Sequence, residues 1–262
     1  MCVVNDPDSR TVKSHFDDRS ETYSDLFQKS TRTGAAHRFQ RRQQIVGELS
    51  RGKGGRLLDC ATGTGEVTHA ALESGTFRSA VINDLSDEML RRSRRLLENS
   101  TGLTTNLEFV NSSVFELSDT IDSGSCDLIL CVGLAAHVGR MDTLLGMFRK
   151  LLSQKGSLLF QTTLLDHIGV RATRTLSEQR HIRKNGYAIR HYWHSDVVQA
   201  CFENGLTIVE CRRSGLDIPF LDRVAPGLGF YLESRFANRM ARSGSEAIYV
   251  LARSDRPADE TF

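Results

Sequence analysis

Short apolar runs recur along the chain with amphipathic stretches between them, and this alternation predicts strands separated by helices. Runs at 55–58, 79–84, 106–110, 126–131, 156–162, 206–211 and 247–252 read as seven strands. Between the first two, residues 66–73 predict a helix. Ser86, followed by Asp87 and Glu88, reads as the N-cap and acidic first turn of another. Met141, Leu144, Leu145, Phe148, Leu151 and Leu152 fall at helical spacing, with Lys155-Gly156 as the stop. A helix over 197–204 is expected to be capped by Ser195 and ended by Gly205. Strands alternating with helices argue for an α/β fold.

The junction after the first strand carries the most chemistry. Leu57-Leu58-Asp59-Cys60-Ala61-Thr62-Gly63-Thr64-Gly65-Glu66 takes an apolar strand through an acid into a glycine-punctuated turn and then a helix. Glycines at 63 and 65 allow a sharp bend and close approach of a ligand to the peptide groups, and the helix N-terminus adds a positive dipole end. Strand, tight turn and helix are the geometry in which open sheets bind nucleotides at their carboxyl edge. A dinucleotide fingerprint needs a third glycine where Thr68 stands. Asp59 is also a poor neighbour for a pyrophosphate and a good one for a ligand carrying an amino group and a sulfonium, which describes S-adenosylmethionine. Asp84 ends the second strand about twenty residues on, the span of a βαβ unit, where a carboxylate can take the ribose hydroxyls.

These residues resemble motif I of the class I S-adenosylmethionine-dependent methyltransferases, with Ala61 in place of the first glycine. The form Leu-Asp-x-Ala-Thr-Gly-Thr-Gly is similar to that of the ubiquinone and menaquinone biosynthesis methyltransferases. The resemblance, over 16–252, implies a Rossmann-like, seven-stranded, doubly wound sheet with an antiparallel last strand inserted beside the fifth, under a mainly helical cap. It implies cofactor contacts from Asp59, Ala61, Thr62, Gly63 and Gly65, from Asp84 and Leu85, from Ser112, Ser113 and Val114 at the adenine, and from Cys131 and Val132 at the methionine end. Tyr23, in the segment 16–23 that resembles the helix preceding motif I, would close over the cofactor, and Arg38 or Arg42 would pair with its carboxylate. His137 is the first candidate for a catalytic group, followed by His191 and Tyr192, with His167 and His194 behind them. Adenosylhomocysteine would be the product.

Composition narrows the rest. The 262 residues, 39% hydrophobic and 25% charged, suit one domain spanning 1–262. Within it we expect an N-terminal helical cap at 14–49, a cofactor-binding core at 55–163, substrate-side insertions at 164–194 and 213–244, and a loose tail at 253–262. No run of about 18 apolar residues suggests a membrane span, and the first eight residues lack the pattern of a secretory signal. Six scattered cysteines without a C-x-x-C pair suggest neither zinc nor a disulfide framework, and a cytoplasmic location is expected. Asp166-His167 alone does not make a magnesium site, so no metal is expected. A net charge of +2 does not argue for nucleic acid, and Arg91, Arg92, Arg94 and Arg95 read as a solvated helix face. Pro219-Phe220-Leu221 and the run 228–232 are apolar enough to line a pocket or a homodimer contact.

The expected activity is methyl transfer to O, N or C of a small molecule, in secondary-metabolite or cofactor biosynthesis. An RNA-modifying methyltransferase and a non-catalytic adenosylmethionine-binding regulator are the alternatives.

Overall fold

The computed structural model describes residues 9–236 and 243–254. All seven expected strands are present: β1 (Gly54–Asp59), β2 (Thr76–Asp84), β3 (Asn106–Asn111), β4 (Cys126–Cys131), β5 (Leu152–Thr163), β6 (Leu206–Ser214) and β7 (Glu246–Arg253). They form one sheet in the order β3-β2-β1-β4-β5-β7-β6. The first five are parallel, and β7 lies antiparallel between β5 and β6. Strand order reverses between β1 and β4, so their carboxyl ends open the crevice where α/β sheets bind ligands.

Successive side chains of β1 face opposite sides of the sheet, and each side has its own core. Leu57, Ala80, Ile82, Leu128 and Leu130 join one cluster with Ile45, Val46, Val67, Ala71, Leu90 and Leu97. These come from α2 (Gly34–Ser50), α3 (Glu66–Ser74) and α4 (Asp87–Glu98). Leu58, Val81, Ile129, Cys131, Leu158 and Phe160 join the other cluster with Leu117, Leu144, Phe148, Val197 and Cys201. There the helices are α5 (Leu117–Thr120), α6 (Met141–Leu151) and α8 (His194–Glu203). Five free cysteines lie among the described residues, four of them buried.

The cap is helical, as expected. It comprises α1 (Ser9–Tyr23), α2, α7 (Ile168–Asn185), α9 (Leu221–Val224) and α10 (Pro226–Phe236). Asp222 accepts from the backbone N–H groups of Gly34 and Ala35 at 2.7 and 2.8 Å, seating a carboxylate on the N-terminus of α2.

Three boundaries differ from expectation. Ser195 does not cap α8, whose first residue is His194; Asp166 Oδ2 accepts the His194 N–H at 2.7 Å and supplies the cap from another loop. Lys155-Gly156 does not break the chain, since β5 begins at Leu152. A Cβ on Gly156 would lie 2.7 Å from the Cys126 carbonyl oxygen, so glycine there serves close strand packing. Arg253, expected in the tail, still belongs to β7, and 255–262 lie outside the described residues, as do 1–8. No helix of the described residues is long and apolar enough to cross a membrane.

Candidate functional site

The turn after β1 has the conformation its glycines predict. Gly63 and Gly65 have φ of 57° and 95°, in the left-handed region. A Cβ on Gly65 would lie 2.9 Å from Ser93 Oγ and 3.0 Å from Ser93 Cα, so the second glycine packs the turn onto α4. The Tyr23 ring rests on the Cα of Gly63, 3.4 Å from where a Cβ would be.

Thr68, the residue that replaces a third glycine, is completely buried and donates to Asp59 Oδ2 at 2.5 Å. Asp59 Oδ1 accepts the Ala61 N–H at 3.2 Å, and Thr62 Oγ1 shares hydrogen bonds with Thr68 and Ser93 at 2.7 and 3.1 Å. Thus Asp59, Thr62 and Thr68 brace the turn from beneath. Burial pushes the Asp59 carboxyl up to about 6, against the pull of its two donors.

Asp84, at the end of β2, accepts from Gly63 N at 2.8 Å through one oxygen and from Ser86 N at 2.9 Å through the other. It ties the tips of β1 and β2 together and lines the cleft between them. Each of its oxygens keeps a further lone pair, suited to a pair of neighbouring hydroxyls. Burial raises this carboxyl to about 7, with Asp59 and Asp17 adding to the effect.

Asn83 was not anticipated from sequence. Its Nδ2 donates to the carbonyls of Val110 and Ser112 and to Ser112 Oγ at 3.0–3.1 Å, while its Oδ1 is buried without a partner. Ser113 caps the short turn Val114–Glu116 in a capping box with Glu116. Ser113 and Val114 line the cleft, whereas Ser112 orders their loop from behind.

The cleft has a volume of about 340 Å³. The β1 turn contributes Cys60, Ala61 and Gly63, and the β2 tip contributes Asn83, Asp84 and Leu85. Ser113, Val114 and Phe115 form a third side; Val132, Gly133, Leu134, His137 and Val138, after β4, form the fourth. Gln161 of β5 fixes that last loop by accepting the Gly133 N–H at 2.9 Å. Over the opening lies α1, which adds Val12, Phe16 and Tyr23. The helix is pinned by Asp17, which accepts from Ser86 Oγ at 2.5 Å, and by Lys13, which bridges Asp17 and Asp87 at 3.1 and 2.6 Å. A smaller cavity behind Gly63 is lined by Tyr23, Phe39, Arg42, Asp59 and Val132. Among the described residues no cluster of His, Cys, Asp or Glu could hold a metal ion.

Residues 57–156 match the family model described as a methyltransferase domain. Solved structures share this Rossmann-like fold, methyltransferases among them. A magnesium protoporphyrin IX methyltransferase from Synechocystis PCC 6803 with bound SAH aligns over 94% of this chain and 99% of its own, at 11% identity and a TM-score of 0.64. The cyclopropane synthase MmaA2 from Mycobacterium tuberculosis aligns over 95% and 99%, at 16% identity and a TM-score of 0.62. A 4+2 cyclase, SpnF, covers 96% and 98% at 14% identity, with a TM-score of 0.64. No curated protein matches the sequence significantly.

The structure brings together most of the expected site residues. Tyr23, Ala61, Gly63, Asp84, Leu85, Ser113, Val114, Val132 and His137 line the main cleft, and Asp59 and Thr62 the cavity behind it. Cys131 is fully buried in the core beneath its neighbour Val132.

Arg38 stands apart from the cleft. Its guanidinium meets Asp217, Glu233 and Glu246 at 3.0, 2.9 and 3.9 Å, so its charge is committed to the cap. Arg42 reaches the rear cavity and is held by Glu246 through two contacts of 2.6 and 2.5 Å, lying over the Phe39 ring at 4.4 Å. His191 faces Glu178 of α7 at 3.7 Å, and Tyr192 Oη donates to the Ala135 and Val138 carbonyls at 3.1 and 3.2 Å. Tyr192 therefore supports the His137 loop from behind. His167 caps α7 and His194 bonds the Tyr249 hydroxyl at 2.8 Å. Val12, Phe16, Phe115, Leu134 and Val138 complete the cleft wall, although the sequence gives them no mark beyond being apolar.

Proposed function

We propose that the cleft binds S-adenosylmethionine across the tips of β1, β2 and β4, and that the protein transfers its methyl group to a small acceptor with an apolar body, admitted beneath α1. The observation that carries this reading is Asp84. One buried carboxylate holds Gly63 and Ser86, faces a cleft of about 340 Å³ and has no cation beside it to hold its pKa down. A ligand with a vicinal diol and a positive charge nearby meets both needs. The unpartnered Asn83 Oδ1 offers an acceptor on the same side, and Leu85, Val114 and Phe115 offer apolar surface for a flat ring.

Bound adenosylmethionine supplies an electrophilic methyl on a sulfonium. What the protein adds is orientation: Gly133 keeps the approach open, Val132 and Leu134 exclude water, and α1 closes the top. Alignment of this kind supplies most of what such a transfer requires.

Support for a small acceptor comes from the cleft's size and apolar walls. Two of the four arginines on α4 are engaged locally: Arg91 pairs with Glu88, Arg94 with Glu98 at 3.3 Å, and Arg94 also lies over the Phe109 ring at 4.3 Å.

Calorimetry with adenosylmethionine and adenosylhomocysteine tests the cofactor claim. We expect saturable 1:1 binding, and absence of heat at millimolar ligand would remove the proposal. Asp84→Ala should weaken binding by ~1.5–3 kcal/mol, the value of a hydrogen bond to a charged group. An unchanged affinity in a folded variant would place the ribose elsewhere.

A further inference from the structure

His137 and Tyr187 meet where the acceptor side of the cleft joins the cap. Tyr187 follows α7, is 5% exposed, and its hydroxyl lies 2.9 Å from His137 Nδ1. A buried phenol needs an acceptor for its proton. Among the described residues His137 Nδ1 is the only hydrogen-bond partner of this one. His181, although its ring is 4.7 Å away, has its Nδ1 bonded to Asn185 at 3.1 Å and its Nε2 unpartnered. The phenolic proton therefore points at Nδ1, which must present its lone pair. A neutral imidazole that accepts at Nδ1 carries its hydrogen on Nε2.

His137 lines the cleft, and its Nε2 is not among the buried unpartnered atoms, unlike that of His181. With Nδ1 turned to Tyr187, Nε2 is the ring nitrogen left to the cleft.

We propose that Tyr187 locks His137 as the Nε2–H tautomer, so that His137 donates a hydrogen bond into the cleft instead of taking a proton, and that the methyl acceptor carries an oxygen anion or carbonyl oxygen at that point. This rests on the methyltransferase reading above for its substrate class, but the tautomer is a property of the protein alone. A histidine base is ordinarily oriented and made more basic by a carboxylate on its other nitrogen. Here burial pushes the ring's pKa down to about 3, and the titratable and charged groups acting on it, His181 of α7, His15 and Arg19 of α1, and Arg42 of α2, push the same way. The ring stays neutral at every pH the protein would meet. Donation to an oxygen anion keeps a phenol, enol or carboxylic acid ionised and fixes its lone pairs, and an anion needs no base. Because such a bond is present before the methyl moves, its loss should appear mainly in KM.

Selective 15N labelling of histidine and long-range 1H–15N correlation spectra of the whole protein test the tautomer directly. The expected spectrum of His137 shows Nε2 protonated and Nδ1 bare, unchanged from pH 5 to pH 8. Protonated Nδ1, or titration within that range, would overturn the proposal. In Tyr187→Phe the same ring should become a mixture of tautomers; an unaltered Nε2–H state would show that Tyr187 does not set it.

For the substrate class, turnover of an acceptor panel containing phenols, carboxylic acids and amines separates the roles. His137→Gln, which can place an N–H near the same point, should keep KM for an oxygen acceptor within about threefold, whereas His137→Leu should raise it about tenfold or more. Equal loss in both variants, carried by kcat, would indicate a base and contradict the donor role. Turnover of amines alone, indifferent to His137→Leu, would likewise reject the oxygen acceptor. Failure of adenosylmethionine to bind would remove the methyl-transfer reading and leave the spectra to decide the tautomer.

Discussion

Asp59 and Asp84 are buried carboxyls held without a cation, and their chemistry sets how the site responds to pH. Both have folded pKa values raised above the ordinary carboxylate range, to about 6 and about 7. The folded protein therefore holds protons that the unfolded chain releases, and stability falls as pH rises from about 4 through these values. A cationic ligand favours the ionised forms, so ligand binding should recover what ionisation costs. The affinity for adenosylmethionine is expected to rise about tenfold between pH 5.5 and 8, one pKa unit's worth of coupling. Affinity that stays flat over this range would show that neither carboxylate responds to the cofactor. Thr68→Val tests the brace below the turn. It removes the 2.5 Å bond to Asp59 and should cost ~1–3 kcal/mol in denaturant unfolding, with Asp59 shifted further upward. A loss below half a kcal/mol would make the brace incidental.

At the scale of elements, the central strand and turn were legible because local sequence dictates them. Glycines with positive φ, an acid ending each of the first two strands, and Ser86 capping α4 by accepting from Met89 N at 3.1 Å are local devices. What the sequence hid depends on distant partners. Arg38 was expected at the cofactor, but Glu233 and Asp217 arrive from some 180–195 positions away and claim it. The cap of α8 comes from Asp166, and α7 has no buried stripe to announce it: Ile168, Leu176 and Ile182 are all exposed. The lid is the element with the most direct functional reading. Ser86 and Asp87 at the start of α4 anchor α1 through Asp17 and Lys13, so Asp17→Ala should loosen the lid at a cost of about 1 kcal/mol, for one hydrogen bond from buried Ser86 and a partly exposed ion pair. Stopped-flow release of adenosylhomocysteine should quicken several-fold with a small change in melting temperature. An unchanged release rate would mean that α1 does not gate the cleft.

Across the whole molecule, the cap is joined to the sheet by buried charge. Glu246, the first residue of β7, holds Arg42 of α2, and Glu233 of α10 holds Arg38 while accepting the Leu216 and Asp217 N–H groups at 2.9 and 3.0 Å. Burial would raise the Glu246 carboxyl, but Arg42 and Arg38 outweigh it and hold the group below its ordinary value. Glu246→Gln strands the Arg42 charge and should destabilise by ~3–5 kcal/mol, measured by denaturant unfolding. A change within half a kcal/mol would show that α2 is held by its apolar face alone. Because Arg42 also reaches the cavity behind Gly63, the same network sets the rear wall of the site. Fold and crevice thus follow from one topology, in which the reversal between β1 and β4 places Gly63, Asp84 and Val132 around a common space. The most direct test is a structure determined with adenosylhomocysteine bound. Both ribose hydroxyls are expected on the Asp84 carboxylate, with the adenine against Leu85 and Val114. A ligand bound outside the β1–β2–β4 crevice, or a ribose turned away from Asp84, would contradict this placement.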